Sequence, residues 1–409
     1  MEQEIILDGH LLDSLTLPKV MDLVLEEGGN CEILEVKIGT KKTDLSHARL
    51  LLEAATTAQM NRILQKLRIS GAISVLPEEA KLVRAPKNGV FPEGFYSTTN
   101  LETEVYFKGR WVRVKRIEMD CGVVIDRRER KALCLPMNSI RKGDWIVVGS
   151  RGVKVIPLMR ERGPAREIFQ FMGSGVSSEK PKGRIIAQIA DEMRQAHRKG
   201  KKILFVVGPA VVHTGANIFL EKIIRAGYAD VLFSGNGFAT HDIERQLYGT
   251  SLGVYLEKGE SAEHGHDHHV RAINRIRMAG GIAAAVRKGI LKKGVMAACI
   301  QHRVKFVLGG SVRDDGPLPE VIRDTQVAQQ AMRDLIPGVG ISIMVASGLH
   351  AIATGNILPA SVKTVFVDIN PAMATKLSDR GTFQSVSLVT DSEPFLRELC
   401  RNLVPSGKV

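Results

Sequence analysis

The spacing of apolar residues changes character along the chain. Near the N-terminus, Cys31–Ile38 (CEILEVKI) alternates polar and apolar positions, the two-residue period of a half-buried strand. Thr57–Leu67 carries apolar residues at helical spacing, and Ala72–Val75 reads as a strand again. Further on, VYFKGRWVRV places Lys108-Gly109 as a hairpin turn between two alternating runs. Ser139–Asp144 reads as a turn before a strand beginning at Trp145, and GVKVIP reads as another short strand. From Lys201 the pattern becomes regular. KKILFVV, VLFSG, VKFVLGG, GISIMV, KTVFVD and SVSLV are apolar runs that end in turn residues, and each is followed by a helical stretch.

These patterns divide the chain into three parts. Residues 1–90 show the β-α-β order of a ferredoxin-like α+β module. Residues 91–172 form a small β-rich module. A Gly/Ser/Lys-rich break at 173–183, GSGVSSEKPKG, is the candidate linker. Residues 184–409 form an α/β domain of six βα units. Strands alternating with helices imply a mainly parallel sheet covered on both faces, which binds ligands at the carboxyl ends of its strands.

Composition narrows the class. No run of about 18 or more apolar residues occurs, so no membrane span is expected. The N-terminus MEQEIILDGHLLDS is acidic and lacks a signal-peptide pattern. The five cysteines are odd in number, widely spaced and free of C-x-x-C, which fits a reduced, cytoplasmic protein. The net charge of +13 admits either an enzyme that handles anions or a nucleic-acid binder. Basic residues are dispersed, and aromatics at 5% leave few stacking platforms, so no nucleic-acid partner is expected.

Candidate chemistry collects at the strand ends. They read Gly208-Pro209…His213-Thr214-Gly215, Gly235-Asn236-Gly237, Gly309 to Gly316, Ser347-Gly348-Leu349-His350, Asp368-Ile369-Asn370 and Thr390-Asp391-Ser392. Glycines admit close approach of a phosphate, and helix N-termini carry partial positive charge. Asp368, closing an apolar strand, can accept both hydroxyls of a ribose. Ordinary turn and capping chemistry accounts for any one of these units. All six together favour a dinucleotide site, although the usual G-x-G-x-x-G is absent.

Three polar clusters have competing readings. Arg313-Asp314-Asp315 can hold a substrate ammonium, supply a base or touch a cofactor; alternatively Asp315 caps a helix starting near Pro317. His241, Asp242 and Glu244 open the helix after Gly237. His241 can act as a general acid or base, but acidic residues suit a first helical turn whatever the function. EHGHDHH, Glu263–His269, suggests metal, yet its spacing matches no strong ligand pattern, so it is read as a loop, solvated or over the active site, and no metal is assigned. No nucleophile elbow or Ser-His-Asp order occurs.

Taken together, FYSTTNLETEVYFKGRW, MDCGVVID, GPAVVHTGA, SGNGFATHDIE, GGSVRDDGPLPEV, LHAIATGNILPA and VDINPAMATKLSDRG resemble the archaeal-type ornithine cyclodeaminase family, which carries the lysine-oxoglutarate reductase/saccharopine dehydrogenase bifunctional-enzyme domain. The resemblance spans nearly the whole chain. It implies a C-terminal domain similar to that of deoxyhypusine synthase, NAD as a bound and recycled cofactor, and conversion of L-ornithine to L-proline and ammonia. It implies NAD contacts at Asn236, Gly237, Asp315, Ser347, Gly348, Leu349, His350, Asp368, Asp391 and Ser392. Where a methionine or similar residue is expected before LHAIATGN, this chain has Ser347-Gly348, a change that backbone contacts would survive. It also makes a homo-oligomer, such as a tetramer, an expectation. Position and charge suggest Asp314 for the substrate ammonium, His241 or Asp242 for proton transfer and Arg313 for the substrate carboxylate. The alternatives are a net NAD(P)-dependent dehydrogenase of the saccharopine/lysine type and a non-catalytic amino-acid or NAD sensor.

Overall fold

The computed structural model describes residues 1–9, 11, 16–39, 44, 46–67, 73–74, 78–156, 182–255, 267–314, 316–380 and 385–404. By its internal contacts the chain divides into two units, Met1–Arg166 with Pro359–Ser361 and Glu167–Leu358 with Val362–Val409.

In the first unit, strands β1 (Glu2–Gly9), β2 (Asn30–Lys37), β3 (Ser46–Glu53) and β4 (Ile73–Ser74) pair antiparallel in the order β2-β3-β1-β4. Helices Thr16–Glu26 and Thr57–Leu67 join β1 to β2 and β3 to β4, the ferredoxin-like order. Ile5 and Leu7 of β1 and Ala48, Leu50 and Leu52 of β3 alternate onto the helix side, where they meet Val20, Val24 and Ile63. The expected half-buried strand at Cys31–Ile38 is an edge strand instead. A register shift between Ile33 and Glu35 breaks its alternation, and Ile33, Leu34 and Val36 lie exposed.

A second sheet in this unit contains β5 (Leu82–Arg84), β6 (Glu102–Phe107), β7 (Arg110–Lys115), β8 (Gly122–Asp126), β9 (Lys131–Leu135), β10 (Trp145–Val147) and β11 (Val153–Ile156), in the order β11-β6-β7-β9-β8-β10-β5. The expected hairpin is present. Phe107 pairs with Arg110, and Lys108 and Gly109 both have positive φ, 50° and 75°, as a two-residue turn between twisted strands requires.

The second unit holds the parallel sheet. Its strands follow a helix at Lys182–Arg198, so Lys182 and Gly183 of the expected linker are helical; the rest of the linker lies outside the described residues. The strands are β12 (Lys202–Val207) and β13 (Val231–Gly235), then, after a short hairpin of β14 (Thr250–Ser251) and β15 (Val254–Tyr255), β16 (Lys305–Gly309), β17 (Val321–Ile322), β18 (Val339–Val345), β19 (Lys363–Asp368) and β20 (Ser385–Val389). All seven sheet strands are parallel, in the order β17-β16-β13-β12-β18-β19-β20. The six expected strands are all there. The added edge strand β17 lies inside a stretch read as helix, which begins only at Thr325 behind its cap Asp324.

The apolar runs alternate within themselves. Ile203, Phe205, Val207, Ile343 and Val345 face one core, and Leu204, Val206, Phe233 and Met344 face the other. Both faces are therefore dry, which is why these strands read as continuous apolar runs. Helices His268–Ala279, Ile282–Arg287 and Val295–Gln301 fill the connection from β15 to β16 and were not expected from the sequence. Among the described residues, no helix is long and apolar enough to cross a membrane.

Candidate active site at the carboxyl ends of the parallel strands

The chain runs from β12 outward through β13 and β16 to β17, then returns to lay β18 on the other side of β12. The order reverses between β12 and β18, where open α/β sheets bind their ligands. The two turns at this point are pressed together. Gly208 N–H donates to the Val345 carbonyl at 3.0 Å, and a Cβ on Gly208 would lie 1.7 Å from the Ala346 oxygen. Only glycine fits there. Ala346 itself takes a positive φ of 46°, and Gly348 starts the next helix with φ 53°.

Helix starts differ between the centre and the edges of this sheet. The helices after β12, β13 and β18 begin behind Pro209, Gly235 and Gly348, none with a side-chain cap. Asp324 caps its helix by accepting from Gln326 and Val327 N–H, Asn370 accepts from Ala372 N–H, and Asp391 accepts from Glu393 N–H. At the centre, therefore, no side chain caps the first-turn amides; Val211 N–H turns back to the Gly208 carbonyl at 3.1 Å, and the starts behind Gly235 and Gly348 have the arrangement that receives an anion. Asp368 closes β19 twenty residues after Gly348, a spacing that suits a ribose diol beside a phosphate. One oxygen of Asp368 accepts from Asn370 N–H at 2.9 Å. These residues fit a dinucleotide.

The remaining candidates fall into two groups around the helix Asn236–Tyr248. Gly235 is its extended cap, so Asn236 and Gly237 are already helical and His241, Asp242 and Glu244 lie in the second turn and beyond, not the first. Asn236 is buried; its oxygen accepts from Leu318 N–H at 3.1 Å and Thr240 Oγ1 at 3.3 Å, and its Nδ2 donates to Asp314 Oδ1 at 3.1 Å. Asp314 Oδ2 accepts from Ser311 N–H at 2.8 Å. The loop is thereby pinned over the helix start, with Arg313 exposed; Asp315 lies outside the described residues. The His350 ring lies over the ends of β13 and β16, 3.0 and 3.1 Å from where Cβ atoms would stand on Gly235 and Gly309. Burial lowers its pKa, which favours the neutral ring.

The second group surrounds His241. Its Nδ1 lies 2.7 Å from Glu244 Oε2, and its ring meets His213 at 4.9 Å and His269 at 6.2 Å. His213 Nδ1 lies 2.8 Å from Ser251 Oγ. His268 is helical, with Nδ1 2.8 Å from Thr250 Oγ1, so the end of the histidine-rich run is not a loop. Among the described residues, no group of three or more His, Cys, Asp or Glu converges as metal ligands. Asp242 is fully buried, accepting from Met296 N–H at 2.9 Å and Asn217 Nδ2 at 3.0 Å, and burial raises its pKa. It caps the helix Val295–Gln301. Ser392 Oγ meets Thr214 Oγ1 at 2.9 Å, tying the end of β20 to the turn after β12.

Sequence reading gave His213 no role and left the pairing of Glu244 unseen. A signal existed: His213 and His241 each fall six residues past the end of adjacent parallel strands.

Fold and site define a doubly wound, dinucleotide-binding α/β domain that follows, along the chain, a four-stranded and a seven-stranded sheet. Residues 2–101 match the LOR/SDH bifunctional enzyme conserved region, residues 102–186 the first region of the arginine dihydrolase ArgZ-like C-terminal part, and residues 187–399 its Rossmann fold. The ornithine cyclodeaminase of Methanothermobacter thermautotrophicus is 51% identical over 394 residues, 96% of each chain. The bifunctional arginine dihydrolase/ornithine cyclodeaminase AgrE of Nostoc sp. is 38% identical over 97% of this chain and 57% of its own. The crystal structure of the ternary complex of AgrE with ornithine and NAD+ matches with a TM-score of 0.54 at 36% identity, over 98% of this chain and 57% of that one. The chain belongs to the archaeal-type ornithine cyclodeaminase family.

Proposed function

We propose that this chain converts L-ornithine to L-proline and ammonia with NAD as a recycled cofactor. The observation that carries this reading is the set of uncapped helix starts meeting at the β12/β18 switch point with Asp368 alongside, in a chain of this family. NAD, when bound, accepts a hydride from the substrate carbon and returns it, so the reaction has no net redox change. Ser347, Gly348, Leu349 and His350 flank its phosphates, Asp368 holds a ribose, and Asp391 and Ser392 close that side. Asn236 and Gly237 line the other half, and Asp315 is assigned to it by the family resemblance alone.

The residues of the chain must hold the substrate and move its protons. Asp314 receives an ammonium and Arg313 the carboxylate. The α-amine must lose a proton before Cα is oxidised, and the δ-amine must be neutral to attack. His241 takes these protons; Asp242 is set aside because its carboxylate is engaged in capping a helix. The division into modules at 1–90, 91–172 and 184–409, a cytoplasmic location and assembly as a homo-oligomer, such as a tetramer, belong to the same reading.

The test is product analysis of purified protein with L-ornithine, with and without added NAD. Equal proline and ammonia without net NADH supports the proposal. Accumulating NADH points instead to a net dehydrogenase, and NAD binding without any turnover to a sensor. In an active protein, Asp314→Asn should cut turnover at least about tenfold while NAD stays bound.

A further inference from the structure

We infer that Glu244 is a positioning residue for His241: the buried carboxylate holds the imidazole with its hydrogen on Nδ1, so that Nε2 is the proton-accepting nitrogen. This rests on His241 as the proton carrier of the proposed reaction.

Glu244 is fully buried, and its two oxygens are divided between tasks. Oε2 faces His241 Nδ1 at 2.7 Å. Oε1 accepts from Thr250 Oγ1 at 2.9 Å and Gly253 N–H at 3.1 Å, both in the β14–β15 hairpin beyond the helix that carries Glu244. The side chain is thus anchored from outside its own helix and cannot turn away from the histidine. An ionised carboxylate only accepts, so the nitrogen facing it must be the donor. Burial works against ionisation, but the bonds from His241, Gly253 and Thr250 outweigh it and hold Glu244 below the usual carboxylate range. Thr250, having given its proton to Glu244, accepts from His268 Nδ1, which extends the same directed chain.

Among the described residues, His213 at 4.9 Å, from the helix Ala210–His213, and His269 at 6.2 Å, from the helix His268–Ala279, also face His241. Burial, with His241 close by, pushes His213 down to about 4, so it does not compete for a proton near neutrality. A carboxylate behind an imidazole fixes tautomer and orientation in acid–base catalysis generally.

Glu244→Gln is the informative variant. Its amide oxygen can keep the Thr250 and Gly253 bonds, which turns the NH2 group toward His241 and reverses the tautomer. Expected are an Nδ1–H tautomer in the unsubstituted protein and an Nε2–H tautomer in Glu244→Gln, read by long-range 1H–15N NMR. The kcat for proline formation should fall about 100-fold, with KM for ornithine and NADH affinity changed less than about threefold. A purely structural role would lower Tm and leave tautomer and kcat in place, which overturns the inference. So does an Nε2–H tautomer in the unsubstituted protein, a measurement that decides the matter even if Glu244→Gln fails to fold. If the unsubstituted protein makes no proline from ornithine, the proposed reaction fails, while the tautomer comparison still decides whether Glu244 positions His241.

Discussion

The middle of the parallel sheet and its margins start their helices by opposite rules. At the margins, Asp324, Asn370 and Asp391 turn back to bond the first-turn amides. In the middle, Pro209, Gly235 and Gly348 supply no such bond. A side-chain cap typically contributes about 1 kcal/mol. The middle gives up that stabilisation three times, at adjacent strands, and the amides it leaves behind Gly235 and Gly348 are those an anionic ligand can take. Side-chain caps stabilise the marginal starts, and the bare starts in the middle are left for binding; of the three marginal caps, Asp391 also belongs to the proposed cofactor site.

Four measurements test this contrast. The largest effect is expected at the middle, from Gly208→Ala. With a Cβ 1.7 Å from a carbonyl oxygen, the turns after β12 and β18 must separate. Stability should fall by about 3 kcal/mol, with weakened NAD binding, read by denaturant unfolding and NADH fluorescence. Next is Asp368→Ala, which removes the ribose acceptor and only an Asx turn from the fold. NAD affinity should drop roughly 10- to 100-fold, the worth of a hydrogen bond to a charged group, with little change in Tm; unchanged affinity would detach Asp368 from the cofactor.

A smaller effect concerns His213, also in the middle. Its folded-state pKa is about 4 against an ordinary 6.5. Below 6.5 the unfolded chain takes up a proton that the folded one refuses, so stability is full above that pH and declines as pH falls from 6.5 toward 4. His213→Gln should flatten that part of the stability–pH curve; an unaltered slope would show that other groups cause it. The smallest effect is at the margin. Asp324→Ala should lose about 1 kcal/mol of stability and leave NAD affinity within about twofold. An Asp324 cap that altered affinity as strongly as Asp368 would erase the distinction.

The strands were more legible than what joins them. Six apolar runs from KKILFVV to SVSLV announced six strands because a strand buried on both faces must be apolar throughout. β17 escaped notice because two residues at a sheet edge carry no periodicity. The helices Lys182–Arg198, His268–Ala279, Ile282–Arg287 and Val295–Gln301 also escaped; His268–Ala279 begins inside a histidine-rich run that reads as loop. At the site, the glycines and Asp368 were visible as residue types at strand ends. The same rule misplaced the ionisable group after Gly237. His241, Asp242 and Glu244 look like one cluster in the sequence, yet His241 and Glu244 pair with each other while Asp242 faces another helix.

Local chemistry was therefore decided by the sequence alone: which segments are strands, where turns need glycine, and which residue types stand at the strand ends. Their order in the sheet was decided only by the tertiary structure, because parallel pairing joins segments separated by a whole crossover. That order places β18 beside β12, forces Gly208 against Ala346 and sets His241 near His213. It also decides which carboxylate is a helix cap and which holds a histidine, since a side chain's partners depend on the elements packed around it rather than on its neighbours in the chain.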